Sequence, residues 1–234
     1  MIYINGDSHS AGAELVKDYC FAEDDPRYGA WGRRPHPEST PLTFGYKLAQ
    51  TLNQPFHTDA ESASSNARIL RTATKFVEET NNKRDLFVLI GWTTWEREEW
   101  KYGEDYLQVT ASGTDSVPEN MVEEYKKWVI KQTPQELERK KLYWQNLIME
   151  FSSNLDDLGI KHLFFTTDEY TQYLKEHGYQ TVNNGYHFGV DGHVAWYKKL
   201  LPEIQSQYTI KTGLTNTPKR SIVTKAKQQF KGFN

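Results

Sequence analysis

The sequence predicts an α/β protein, a three-layer α/β/α sandwich around a mostly parallel sheet. Short apolar runs alternate with stretches of helical periodicity along the chain, the order that buries a parallel sheet between helices. Two of those runs, 86–90 and 162–165, are apolar almost throughout, as expected of strands covered on both faces. At 234 residues, one α/β domain with a sizeable core accommodates the chain.

The elements follow in order. Residues 2–4 (Ile-Tyr-Ile) form a short strand that stops at Asn5-Gly6, a turn signal. Residues 28–37, rich in Gly, Pro and Arg, read as a loop. Residues 42–52 look helical. Over 65–79, Ile69, Leu70, Ala73, Phe76 and Val77 share one face, the spacing of a half-buried helix. Thr133-Pro134-Gln135-Glu136 is a strong helix start, with threonine as cap, proline in the first turn and Glu136 able to complete a capping box. Leu137, Trp144, Leu147, Ile148, Phe151 and Leu155 then line one face, and Gly159 supplies the stop. A last amphipathic helix is expected over 194–201, ended by Pro202. The domain is expected to span 1–207, and 208–234 to be a basic extension.

Composition narrows the function classes. Cys20 is the single cysteine, so neither an intrachain disulfide nor a CxxC metal site is available, and a reducing compartment suits the chain. No early apolar stretch resembles a signal peptide, and no run approaches the ~18 apolar residues of a membrane span. A soluble protein, cytoplasmic or virion-associated, is expected. The net charge is −3, yet Lys211, Lys219, Arg220, Lys225, Lys227 and Lys231 fall in a final stretch with no acid. Such a tail could serve a protein partner; six charges without a recognition motif do not favour nucleic acid.

Chemistry gathers at two places. Gly6-Asp7-Ser8-His9-Ser10 directly follows the first strand, where ligands bind in a doubly wound sheet. Ser8 there is either a nucleophile or, with Ser10, a helix cap. A serine hydroxyl needs a base, and seven histidines are present. His36, His57, His162 and His177 have no supporting pattern, and His9 sits beside Ser8. His187 and His193 lie in Asn184-Gly-Tyr-His-Phe-Gly-Val-Asp-Gly-His193, a loop feeding the last helix. No HExxH-type metal spacing occurs, and the chemistry needs no metal or organic cofactor.

Gly6-Asp7-Ser8-His9-Ser10 resembles the first block of the SGNH (GDSL-like) hydrolases, and the segment around His187 is similar to their last block, Asp-x-x-His-Pro-x-x-x-Gly-His. The resemblance covers roughly residues 1 to 203. It implies a flavodoxin-like sheet, Ser8 as nucleophile, His187 as base and His193 as a packing or capping residue. Ala63-Ser64-Ser65-Asn66 looks like the second block, which puts the N–H of Ala63, or of Ser64, in the oxyanion hole. Gly91-Trp92-Thr93-Thr94 resembles the Gly-x-Asn-Asp block, with Thr93 in place of the asparagine. Asp7 and Trp92 are further candidates for substrate contact. The segments Trp92 to Glu99 and Ser-Ser-Asn-Ala-Arg-Ile also look like small SGNH-like proteins of tailed phages.

One departure bears on activity. Asn184 stands where the family has the aspartate that orients the histidine; an amide can hold the ring but supplies no charge. Asp191 is a nearby carboxylate, placed where an N-cap is expected. The expected function is therefore serine ester hydrolysis through a Ser–His acyl-enzyme, with reduced activity. Trp31, Trp92, Trp95 and Trp100 near the expected rim suggest stacking on sugars, hence a carbohydrate O-deacetylase acting on acetylated glycans. The alternative is a weakly active or inactive binding or structural protein on the same fold, part of a phage particle, with the tail as its assembly arm.

Overall fold

A computed structural model describes residues 1–16, 35–111, 117–182 and 185–209. Cys20, Trp31, Asn184, most of the expected 28–37 loop and the basic residues of the tail lie outside the described residues.

Four parallel strands build the main sheet: β1 (Ile2–Asn5), β2 (Phe56–Thr58), β3 (Phe87–Trp92) and β6 (Lys161–Thr166), in the order β2-β1-β3-β6. Asn5 pairs with Ile90, and Ile90 with Phe164. The chain leaves β1 to form β2 on one side and returns to form β3 on the other. Their carboxyl ends therefore diverge at β1/β3, the crevice in which such sheets bind ligands.

The period-two alternation of side chains sorts the strands between two cores. Ile2, Ile4, Phe87, Leu89, Leu163 and Phe165 meet α2 (Phe44–Thr51), α6 (Thr167–Glu176) and α7 (Val190–Thr209) on one face. Tyr3, Val88, Ile90, Trp92 and Phe164 meet α3 (Asn66–Glu79) and α5 (Pro134–Asp157) on the other. The expected sandwich is what forms, and its sheet has the flavodoxin-like order 2-1-3.

A second unit escapes the sequence reading. An antiparallel hairpin, β4 (Glu98–Tyr102) and β5 (Asp105–Val109), packs with α4 (Val122–Ile130) through Trp100, Val109, Tyr125 and Trp128. The nearly buried Lys140 of α5 ties it to the sandwich by donating to Glu98 at 2.5 Å and Gln132 at 2.8 Å.

Several helix ends differ from expectation. Thr133 caps α5 by accepting the Glu136 N–H at 3.2 Å, but the Glu136 carboxylate pairs with Arg139, so the capping box is half formed. Gly159, at φ 68°, follows the end of α5 as expected. Pro202 does not stop the last helix; α7 runs through it to Thr209. Pro202 and Lys198, whose carbonyl loses its partner, are both exposed, so water replaces the missing bond and the helix continues. Asp191 lies inside the first turn of α7 and accepts from Gly192 N–H at 2.8 Å, rather than capping the helix. Among the described residues, no helix is long and apolar enough to cross a membrane.

Candidate active site

The Ser8 loop is built from β1 outward. Buried Asn5 donates to the Tyr3 hydroxyl, Ile69 O and Thr72 Oγ1, and accepts from Gly6 N–H at 2.8 Å. This locks the strand end. Gly6, at φ 153°, has Ser10 Oγ within 2.4 Å of where a Cβ would stand, so the turn closes only without a side chain. Asp7, not Ser8 or Ser10, caps the one-turn helix α1 (Ser8–Ala11), its carboxylate accepting from His9 N–H at 3.0 Å. Ser8 is thereby released for other work.

Ser8 Oγ lies 2.7 Å from His187 Nε2, across 179 positions of sequence. The carboxylate behind the histidine is Glu14, with Oε2 3.4 Å from His187 Nδ1. That is ion-pair range, looser than a formed hydrogen bond; contacts of this kind tighten when substrate binds. Glu14 is held in the left-handed region at φ 63°, a strain that clusters at functional sites. Its carboxylate packs on Gly185, where a Cβ would meet Oε2 at 2.8 Å. No spacing signal singled out Glu14, because it follows a one-turn helix in no recognised block. Asn184 lies outside the described residues.

Asp7 is buried and forms the hub beneath Ser8. Oδ2 accepts from the hydroxyls of Thr93 at 2.8 Å and Thr167 at 3.0 Å, and Arg97 Nη1 stands at 3.3 Å. Those partners come from the ends of β3 and β6 and from the loop beyond β3, so one carboxylate clamps three segments. Burial opposes its ionisation, but the charges of His9 and Arg97 and its hydrogen bonds outweigh that and hold the carboxyl below its usual range. Burial itself pushes His9 down to about 4. At neutral pH His9 is uncharged, which leaves Arg97 and the hydrogen bonds to stabilise the carboxylate.

The oxyanion candidates separate. Ser64 N–H turns back to Glu61 O at 3.2 Å, and Glu61 N–H reaches Gly6 O at 3.1 Å. Ala63 N–H is the donor of the two that no described acceptor engages. Ala63 itself sits at φ 62°, where a side chain costs about 1–2 kcal/mol. Ala63→Gly is therefore expected to raise stability by about 1 kcal/mol, read as a higher urea midpoint. A lower midpoint would mean that the half-buried methyl group packs better than the turn is strained. The backbone of Thr93 is clipped to the first turn of α3, donating to Asn66 Oδ1 at 2.9 Å and accepting from Asn66 Nδ2 at 3.1 Å. Its hydroxyl proton is given to Asp7.

Two expectations about aromatics change. Trp92 is fully buried, edge-on to Phe151 and Phe164. It cannot touch a substrate, because its strand position points it into the second core. Trp100 stacks edge-on with Trp128 under the hairpin, and Trp95 packs on the same core as Trp92. Tyr186, the residue before His187 in the chain, is 86 % exposed.

His193 accepts from Phe44 N–H at 3.2 Å through Nδ1, and so caps α2 from across the fold. Burial holds it down to about 3. Below about pH 6.5 the unfolded chain gains a proton at this residue that the folded protein refuses until about 3, so stability falls on acidification. The expected slope is about 1 kcal/mol per pH unit. Urea midpoints of wild type and His193→Gln at pH 7.0 and 4.5 test it, since His9 contributes in the same window; a pH dependence unchanged in the variant would show that folded His193 takes up the proton.

No protein-family model and no curated protein matches the chain. Among solved structures it is similar to a carbohydrate esterase whose active site is described as having divergent catalytic and non-catalytic binding functions, at 10 % identity and a TM-score of 0.42, over 87 % of this chain and 67 % of that one. It is also similar to a member of the lipolytic G-D-S-L family from Veillonella parvula, at 12 % identity and a TM-score of 0.39, over 87 % of this chain and 97 % of that one.

Proposed function

We propose that this chain is a serine ester hydrolase working through an acyl-enzyme. The observation that carries the reading is the 2.7 Å contact between Ser8 Oγ and His187 Nε2, with the Glu14 carboxylate on the far side of the ring. With Nδ1 protonated toward Glu14, Nε2 accepts the Ser8 proton as Oγ bonds to the ester carbonyl carbon. The carbonyl electron pair moves to oxygen, beside the N–H groups of Ser8 and Ala63. Collapse expels the alcohol, which takes its proton from His187. Water then attacks the acyl-Ser8 ester by the same route. Glu14 supplies the charge that Asn184 lacks, so the expected penalty on activity is offset.

The acyl group in this reading is short, acetyl being the simplest. Ser8 is 8 % exposed and follows Asp7, whose carboxylate binds the Thr93 hydroxyl, a polar setting that would not solvate a long alkyl chain. The alcohol is a sugar hydroxyl, for which Tyr186 in place of Trp92 supplies the aromatic face. Fluorophosphonate labelling, read by mass spectrometry, tests the nucleophile, with one adduct expected on Ser8 and none on Ser8→Ala. Turnover of p-nitrophenyl acetate and release of acetate from an acetylated xylan test the acyl group and the alcohol. An unlabelled Ser8 in folded protein would favour the non-catalytic alternative, with the basic tail as its docking arm.

A further inference from the structure

We propose that Arg97 is the side-chain donor to the oxyanion, its guanidinium receiving the charge that develops on the substrate carbonyl oxygen. The proposal rests on Ser8 being the nucleophile. Arg97 belongs to the loop between β3 and β4 and was not singled out from the sequence.

Among the described residues Nη1 alone makes the hydrogen bonds of the guanidinium: Thr93 Oγ1 at 2.9 Å, Asp7 Oδ2 at 3.3 Å and Ser64 O at 3.4 Å. These acceptors come from three segments, one of them the turn that carries Ser8, so the group is held at the corner where Asp7, Ser64 and Thr93 meet. Among the described residues its buried Nε has no partner and its Nη2 makes no bond. An unmade bond on a buried charged group is costly. Nε is closed off from solvent, so the arm left to meet a ligand oxygen is Nη2 of this partly exposed side chain.

Neutralising Asp7 does not account for this arrangement. Asp7 Oδ2 already takes two hydroxyl protons, and Arg97 meets it through one nitrogen at 3.3 Å. A guanidinium placed to hold a carboxylate frequently presents both arms of its fork, whereas Arg97 offers Asp7 only one. Thr93, in the expected position of a side-chain donor, has given its proton to Asp7. Arg97 in turn donates to the Thr93 oxygen, which leaves its Nη2 as a charged side-chain donor at this corner. As Ser8 Oγ bonds to the carbonyl carbon and the carbonyl pair moves to oxygen, the guanidinium stabilises the new charge without transferring a proton.

The test compares wild type, Arg97→Gln, Arg97→Lys, Asp7→Asn and the Asp7→Asn/Arg97→Gln pair on p-nitrophenyl acetate. Circular dichroism and melting temperature establish that each is folded. Arg97→Gln is expected to lower kcat by about 10²–10³-fold, with KM within about threefold, and Arg97→Lys to recover part of the loss. Affinity for phenylboronic acid, which forms a tetrahedral adduct on Ser8, should weaken in Arg97→Gln. A structural role would move the melting temperature instead. If Arg97 served only to balance Asp7, removing it in the Asp7→Asn background would cost nothing further. That result, or a kcat for Arg97→Gln within threefold of wild type, overturns the proposal while leaving Ser8 in place. Should Asp7→Asn not fold, the kcat–KM split and the boronate affinity decide alone. Absence of Ser8 labelling and turnover in wild type would instead remove the nucleophile assignment, and this proposal with it.

Discussion

Ser8→Ala and His187→Ala are each expected to lower kcat for p-nitrophenyl acetate by about 10⁴–10⁶-fold, and the double variant to be no slower than either. The two side chains act as one unit. Without His187 the Ser8 hydroxyl keeps its proton and remains a poor nucleophile. Without Ser8 the histidine loses the hydroxyl that it would deprotonate. A double variant much slower than both singles would mean that each residue works independently. A His187→Ala variant with wild-type turnover would end the assignment of base. Both substitutions should leave the melting temperature close to wild type, since neither side chain belongs to the two buried cores.

The second large effect is expected at Glu14. Glu14→Gln should lower kcat by about 10²–10⁴-fold, with KM little changed, because the amide preserves shape but removes the charge that supports the imidazolium. The lower end suits the 3.4 Å separation, which is looser than a formed bond. Gly185→Ala gives an independent check, since the new methyl would stand 2.8 Å from Glu14 Oε2. It should slow turnover by displacing a carboxylate that is still present. Wild-type kcat in Glu14→Gln would assign the support of His187 to another group.

Much of the framework was legible because it depends on neighbours in the chain. The buried runs of β3 and β6, the apolar face of α3, and the Thr133-Pro134 start and Gly159 stop of α5 are local patterns with local causes. So is Gly6-Asp7-Ser8, in which a strand end, a tight turn and a cap lie within a few positions. What escaped was short, polar or held from afar. The strand β2 is three residues at a sheet edge, and β4 reads Glu-Glu-Trp-Lys-Tyr, too polar to stand out before α4 covers it. Pro202 looked like a stop because its solvent exposure, which makes the lost bond inexpensive, is a property of the folded molecule.

The site divides along the same line. By itself the sequence determined the Ser8 loop, the His187 loop and the sandwich whose strand ends bring the two together. Tertiary structure alone decided which carboxylate faces His187, which backbone N–H stays unengaged, and that Trp92 points inward. It also placed Arg97 at the corner shared by Asp7, Ser64 and Thr93. The reason is physical: these outcomes depend on distances of a few ångströms between segments up to 173 positions apart, as from Glu14 to His187. Such distances are set by how the layers pack, whereas a motif records only what a residue's neighbours in the chain require.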